Sequence, residues 1–279
     1  MMEISINSLL LKLMAKIFLI NMLIFNPMAK AENTKDFQCE GDALSKGWSL
    51  IANKKIFFGH QSVGNNILDG LELLAEKCNK TFTLLQTRDA DKVNGSVFVH
   101  AEVGENKLPE TKIADFALLM EQGMGGKVDI AFMKFCYTDF QPDTDVDALF
   151  VKYRDMLASL SERYPKTEYL AVSVPLTMLQ TGVKAWIKSV LQLNIPGVIE
   201  NKKRQEFNQR LRSEYKAKNR LFDIASIEST LPDGTREKYQ LDGQEYDALY
   251  HEYTDDGSHL NEAGQLRAAQ ALLKMLGDM

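Results

Sequence analysis

The run Val128–Cys136, VDIAFMKFC, constrains the fold more than any other stretch of the chain. Its apolar residues are nearly continuous rather than alternating, so both faces of such a strand must be covered, as in a parallel sheet. The surrounding segments supply the cover. Lys55–Phe58 and Phe82–Gln86 read as strands, as do Glu168–Val174 and Leu221–Ile224. Between them, Ser62–Lys77 repeats apolar residues at helical spacing (Ile67, Leu71, Leu74), and Pro109–Gln122, Asp147–Tyr164 and Lys202–Asn219 read as helices. Asn261–Leu276 closes the chain as a last helix. This order predicts an α/β protein: one parallel sheet of about five strands between two layers of helices. Two stretches break the alternation, 175–201 and 228–255. Both fall where loops pass over the carboxyl ends of the strands, and ligands bind there in such folds.

The first 31 residues are excluded from that fold. Lys12 and Lys16 precede a short apolar run, Ile17–Phe25, and Ala29-Lys30-Ala31 follows. This is the pattern of a secretory signal peptide; the run is too short for a spanning helix, which takes about 20 apolar residues. Cleavage after Ala31 leaves residues 32–279 as a single domain, secreted or periplasmic, without stable membrane insertion. The leader carries Lys12, Lys16, Lys30 and Glu3, so the net charge of −5 becomes −7 on its removal. With no basic stripe, nucleic acid is excluded as a partner. An exporting compartment permits Cys39 and Cys78 to pair, leaving Cys136 as a buried thiol.

Two stretches carry chemistry. Gly59-His60-Gln61-Ser62-Val63-Gly64 runs from the first strand straight into the first helix. A serine at that junction stands at the sheet's carboxyl edge, with its N–H at a helix N-terminus where developing negative charge is favoured. Taken alone, Ser62 reads first as a helix N-cap. Near the other end stands Asp255-Asp256-Gly257-Ser258-His259-Leu260-Asn261. An acid three residues before a histidine, with a glycine between, can fold back onto the imidazole and fix its tautomer for a nucleophile. Asn261 caps the helix that follows.

In combination, the strand–Gly-x-x-Ser–helix and the late DGSHLNEAG resemble the Ser-Gly-Asn-His (SGNH, GDSL-like) hydrolase superfamily, from about Lys54 to Leu276. The resemblance implies a flavodoxin-like three-layer fold and hydrolysis or transfer of acyl groups, often acetyl groups on carbohydrates. It makes Ser62 the nucleophile, His259 the base and Asp256 its orienting acid. It also implies an oxyanion hole made by the N–H groups of Ser62 and Gly104. The chain departs from the family in two places. Gly59-His60-Gln61-Ser62 replaces Gly-Asp-Ser, and Cys136-Tyr137-Thr138-Asp139 replaces Gly-x-Asn-Asp, so the usual donor asparagine is absent. Asn106 or the Thr138 hydroxyl is the expected substitute.

Other polar residues near these motifs are candidates for substrate contact or support. His60 and Gln61 flank the nucleophile. Lys134 interrupts the central strand and, if buried, needs a partner; Asp139 or Glu105 is expected to supply it. His100 reads as a surface or supporting group, and Trp186, Tyr246, Tyr250 and Tyr253 in the long loops either stack on a sugar or form local core. Nothing in the chain has metal-ligand spacing or a phosphate loop, so no metal and no cofactor is expected. The α/β-hydrolase elbow Gly-x-Ser-x-Gly is rejected, because Gly59 lies three residues before Ser62 and the serine follows the first strand. Expected partners are therefore a small-molecule or carbohydrate ester and water. An acyltransferase acting on an extracytoplasmic polysaccharide, or a non-catalytic glycan-binding protein of the same fold, are the alternatives.

Overall fold

The structure, a computed structural model, describes residues 37–179 and 195–279. The leader 1–31 and Trp186 lie outside the described residues. Residues Asp36–Met279 form one compact unit. Its elements, in chain order, are α1 (Asp42–Asn53), β1 (Lys55–His60), α2 (Val63–Lys77), β2 (Leu84–Gln86), β3 (Val97–Glu102), α3 (Pro109–Glu121), β4 (Ile130–Met133), α4 (Val146–Arg163), β5 (Glu168–Val172), α5 (Val198–Tyr215), β6 (Leu221–Phe222), α6 (Ile224–Glu228), the hairpin β7 (Lys238–Leu241) and β8 (Gln244–Asp247), and α7 (Glu262–Gly277).

Six strands pair in the order β2-β3-β1-β4-β5-β6, all parallel. The five expected strands are present as β2, β1, β4, β5 and β6, and a sixth, β3, is inserted between β2 and β1. The strand beside β1 is therefore Val97–Glu102, which sequence reading left unassigned, and not Phe82–Gln86, which forms the short edge. β3 is buried at five of its six positions, and its His100 and the adjoining glycine-containing loop disguise the apolar run. The predicted strand Val128–Cys136 contracts to Ile130–Met133, although Phe135 and Cys136 stay buried beyond it.

Side chains alternate across β1 and divide the core in two. Ile56 and Phe58 join Phe98 and Phe132 under α1, α2 and α7, while Phe57 joins Val99, Ala131 and Met133 under α3, α4 and α5. Phe57 and Phe58 are fully buried, each contributing roughly 1.5–3 kcal/mol relative to exposure. After β1 the chain turns toward the β2 edge; after β3 it crosses to β4 on the other side. The two connections part at the carboxyl end of β1, the topological switch point where such sheets bind ligands. A disulfide joins Cys39 to Cys78 at the end of α2, and Cys136 is a free, buried cysteine.

Candidate active site

β1 carries the chain to this switch point, and Ser62 makes the turn into α2. Its backbone has φ 48° and ψ −106°, a conformation that costs a non-glycine residue of order 1–3 kcal/mol and persists only where the surroundings enforce it. Ser62 occupies the cap position, yet its side chain makes no capping bond. The hydroxyl instead meets His259, Oγ to Nε2, at 2.5 Å across 197 positions of chain. The N-terminus of α2 thus presents its orphan N–H groups and positive dipole end beside the hydroxyl.

The histidine loop is built locally. Gly257, at φ +88°, makes the turn that lets Asp256 fold back. Asp256 Oδ2 then pairs with His259 Nδ1 at 2.6 Å, while Oδ1 accepts the N–H groups of Ser258 and His259, each at 2.8 Å. Burial pushes the Asp256 carboxyl upward, but these hydrogen bonds outweigh it and hold the group well below the ordinary carboxylate range. Two anchors fix the loop from outside. Asn66 accepts the Leu260 N–H at 3.2 Å, and the Met178 N–H donates to Gly257 O at 2.8 Å. Asn66 follows Ser62 by four residues, so the helical repeat sets it on the same face; that spacing is the signal by which it could have been found. Tyr137 packs its ring edge-on against His259, centroids 5.7 Å apart.

The other wall differs from expectation. Gly104 donates its N–H to Asp115 at 2.9 Å, and Arg88 clamps the same carboxylate. That donor is already spent, so Gly104 does not supply the oxyanion hole. Glu105 N–H goes to Thr111 Oγ1 and Lys107 N–H to Asp139 Oδ1. Asp139 also takes the Cys136 N–H at 2.7 Å and the Lys112 ammonium at 2.6 Å, both partners of the ion pair having fully buried side chains. The loop after β3 is thereby stitched to the loop after β4 across the end of β1. Asn106 lies in this bridge, exposed, with its Oδ1 accepting from Lys112 at 2.9 Å, which leaves its amide N–H groups free to donate. The Thr138 hydroxyl is shut off from solvent and has no partner among the described residues, so it does not face the cleft. Gln61 turns sideways and donates to Gly104 O at 2.8 Å.

Lys134 is buried, as a lysine within that strand must be, but neither expected acid reaches it. Asp139 is taken by Lys112, Glu105 is exposed, and among the described residues the Lys134 ammonium donates only to Phe135 O, at 3.3 Å. Burial lowers its pKa to about 8. Beneath the same edge lie Arg204 and Glu228, both buried and neither anticipated. Arg204 holds Tyr137 O and Thr177 Oγ1, each at 2.9 Å; Glu228 accepts the Leu176 N–H. Burial raises the Glu228 pKa to about 8. His60 and His100 are buried rather than superficial. Tyr246, Tyr250 and Tyr253 are buried too, so they serve as local core and not as a stacking platform. Among the described residues, no group of three or more His, Cys, Asp or Glu is placed to hold a metal ion, and no helix is long and apolar enough to cross a membrane.

No model of a known protein family matches the sequence, and no curated protein matches it. Among solved structures, a protein provisionally described as a platelet activating factor from Streptococcus pneumonia is 18% identical, with a TM-score of 0.48 over 94% of this chain and 98% of that one. A candidate SGNH hydrolase from Slackia heliotrinireducens is 16% identical, with a TM-score of 0.43 over 80% and 98%. The periplasmic domain of a lipopolysaccharide acetyltransferase from Salmonella ser. Paratyphi A is 11% identical, with a TM-score of 0.40 over 81% and 84%. Structures described as GDSL-family or SGNH proteins are among those matched, at 10–16% identity and TM-scores of 0.43.

Proposed function

We propose that this chain is an exported serine esterase that hydrolyses a short acyl ester, with O-acetylated carbohydrate as its substrate class. One observation carries the reaction type: a hydroxyl, an imidazole and a carboxylate in line, at 2.5 and 2.6 Å, on an open edge of the sheet. His259 Nε2 takes the Ser62 proton as Oγ adds to the ester carbonyl. Asp256 steadies the imidazolium, which then protonates the departing alkoxide and leaves an acyl-serine. Water, deprotonated by the same nitrogen, adds to the acyl-serine, and its collapse releases the carboxylic acid and restores Ser62.

The oxyanion is assigned to the Ser62 N–H at the start of α2 and to the Asn106 amide. Elimination supports Asn106, since the Gly104, Glu105 and Lys107 N–H groups around it are engaged. The substrate class rests on the motif resemblance, and the Cys39–Cys78 disulfide supports an oxidising compartment.

The test pairs a fluorophosphonate with a p-nitrophenyl acetate assay. Wild type is expected to be labelled and active, and Ser62→Ala to be neither. Full activity in Ser62→Ala would sink the nucleophile assignment. Turnover that appears only when a glycan hydroxyl is added would make the enzyme a transferase, and an unlabelled wild type would favour a binding protein.

A further inference from the structure

Two residues before the nucleophile lies a histidine that the reaction just described does not use. His60 is fully buried, with its Nε2 3.0 Å from His100 Nδ1 on the neighbouring strand. The two rings lie nearly parallel, centroids 5.2 Å apart, and Phe58 closes the other side at 4.8 Å. The parity of β1 puts His60 on the same face as Ile56 and Phe58, the face covered by α2. It therefore sits under the first turn of the helix that Ser62 opens.

Gly64 shows how close that seat is. A Cβ built there would lie 2.3 Å from the His60 Cβ and Cγ and 2.4 Å from Nδ1. The Nδ1 edge thus rests against the α2 backbone, and among the described residues Nδ1 has no hydrogen-bond partner. The Gly64 and Asn65 N–H groups are taken by Gln61 O and Ser62 O; an unprotonated Nδ1 leaves no buried donor unpaired, so the one ring proton of His60 sits on Nε2 and is donated to His100 Nδ1. Burial, then the Lys134 and His100 charges, push the His60 pKa down to about 3, in keeping with a ring that stays uncharged.

We propose that His60, bonded to His100 and seated against Gly64, is a positioning residue that fixes the strained turn from which Ser62 reaches His259. A turn at φ 48° and ψ −106° does not persist unaided. His60 grips it from below while Gln61, the residue between, ties it sideways to the Gly104 carbonyl. A shift of about 1 Å in a reacting group costs roughly 10²-fold in rate, so the grip acts on turnover more than on binding.

This inference rests on the esterase reading, and its test separates the two. His60→Phe keeps an aromatic ring and removes the bond; His60→Gln keeps a donor that reaches His100. The expected result is a kcat roughly 10²-fold lower in His60→Phe with KM little changed, and recovery of most of that loss in His60→Gln. Phe and Gln variants that both retain wild-type kcat per fluorophosphonate-titrated site would reduce His60 to packing and overturn the proposal. Should His60→Phe not fold, His100→Leu cuts the same bond from the less buried end, with the same expectation. The ¹⁵N shift of His259 Nε2 gives a readout independent of turnover. It is expected to move in the His60→Phe or His100→Leu protein as the Ser62 contact loosens, and an unmoved signal counts against the proposal even if the esterase reading itself has failed.

Discussion

The two walls that meet at the end of β1 are held by opposite means. The histidine wall is a short, half-exposed turn whose side chains bond to one another: Asp256 is 54% and His259 42% exposed, and the carboxylate serves backbone and ring within three residues. The opposite wall hangs on a fully buried ion pair, Lys112–Asp139, that joins the start of α3 to the loop after β4. A local, wet arrangement contributes little to folding, since exposed ion pairs are worth about 0–1 kcal/mol. A buried pair that loses one partner leaves an uncompensated charge, at a cost of about 3–5 kcal/mol. One wall can therefore be altered to change chemistry alone, whereas altering the other threatens the fold.

Four substitutions or conditions put that contrast at risk. Asp256→Asn is expected to lower kcat about 10⁴-fold, by holding the wrong imidazole tautomer, while the urea midpoint scarcely moves; a large midpoint shift would show that the histidine wall supports the fold after all. Lys112→Met should do the reverse, removing about 3–5 kcal/mol of stability in urea unfolding, and a variant as stable as wild type would erase the distinction. Asn106→Ala sharpens the comparison, because Asn106 touches the ion pair yet is exposed. Loss of 10²–10³ in kcat with only a small stability change is expected if its amide meets the oxyanion, whereas equal loss of both would assign it to the ion pair.

The smallest expected effect is that of acid. His60, facing His100 and Lys134, has its folded pKa depressed to about 3 from 6.5. The unfolded chain therefore binds the extra proton as pH falls through 6.5, and stability drops by roughly 2 kcal/mol between pH 7 and pH 5. Asp256, also depressed, contributes a loss only at far lower pH. Urea midpoints across this range that fail to converge in His60→Gln and wild type at pH 5 would exclude His60 as the source.

What could be read ahead of the structure follows the same division. Ser62, Asp256 and His259 were legible because each lies in a motif whose partners are set by a few neighbouring residues: a strand–helix junction and an acid three positions before a histidine. Gly104 misled because a glycine before a helix looks like a free N–H donor, and Asp115, eleven residues on, is what takes it. Lys134 is buried, but Asp139, one of the two acids expected to pair with it, has a nearer cation in Lys112. β3 was missed because a histidine and a glutamate dilute its apolar run, and only its place between β1 and the edge strand explains its burial.

By itself the amino-acid sequence determined the layered α/β class and singled out Ser62, His259 and Asp256 as candidates, because hydrophobic period and short-range spacing act over a few residues. Tertiary structure alone decided that Ser62 and His259 meet, that Lys112 and not Lys134 claims Asp139, and that His60 lies beneath the helix it precedes. Those outcomes depend on competition among donors and acceptors far apart in the chain, and hydrogen bonds and charges are won by whichever group the packed strands bring nearest.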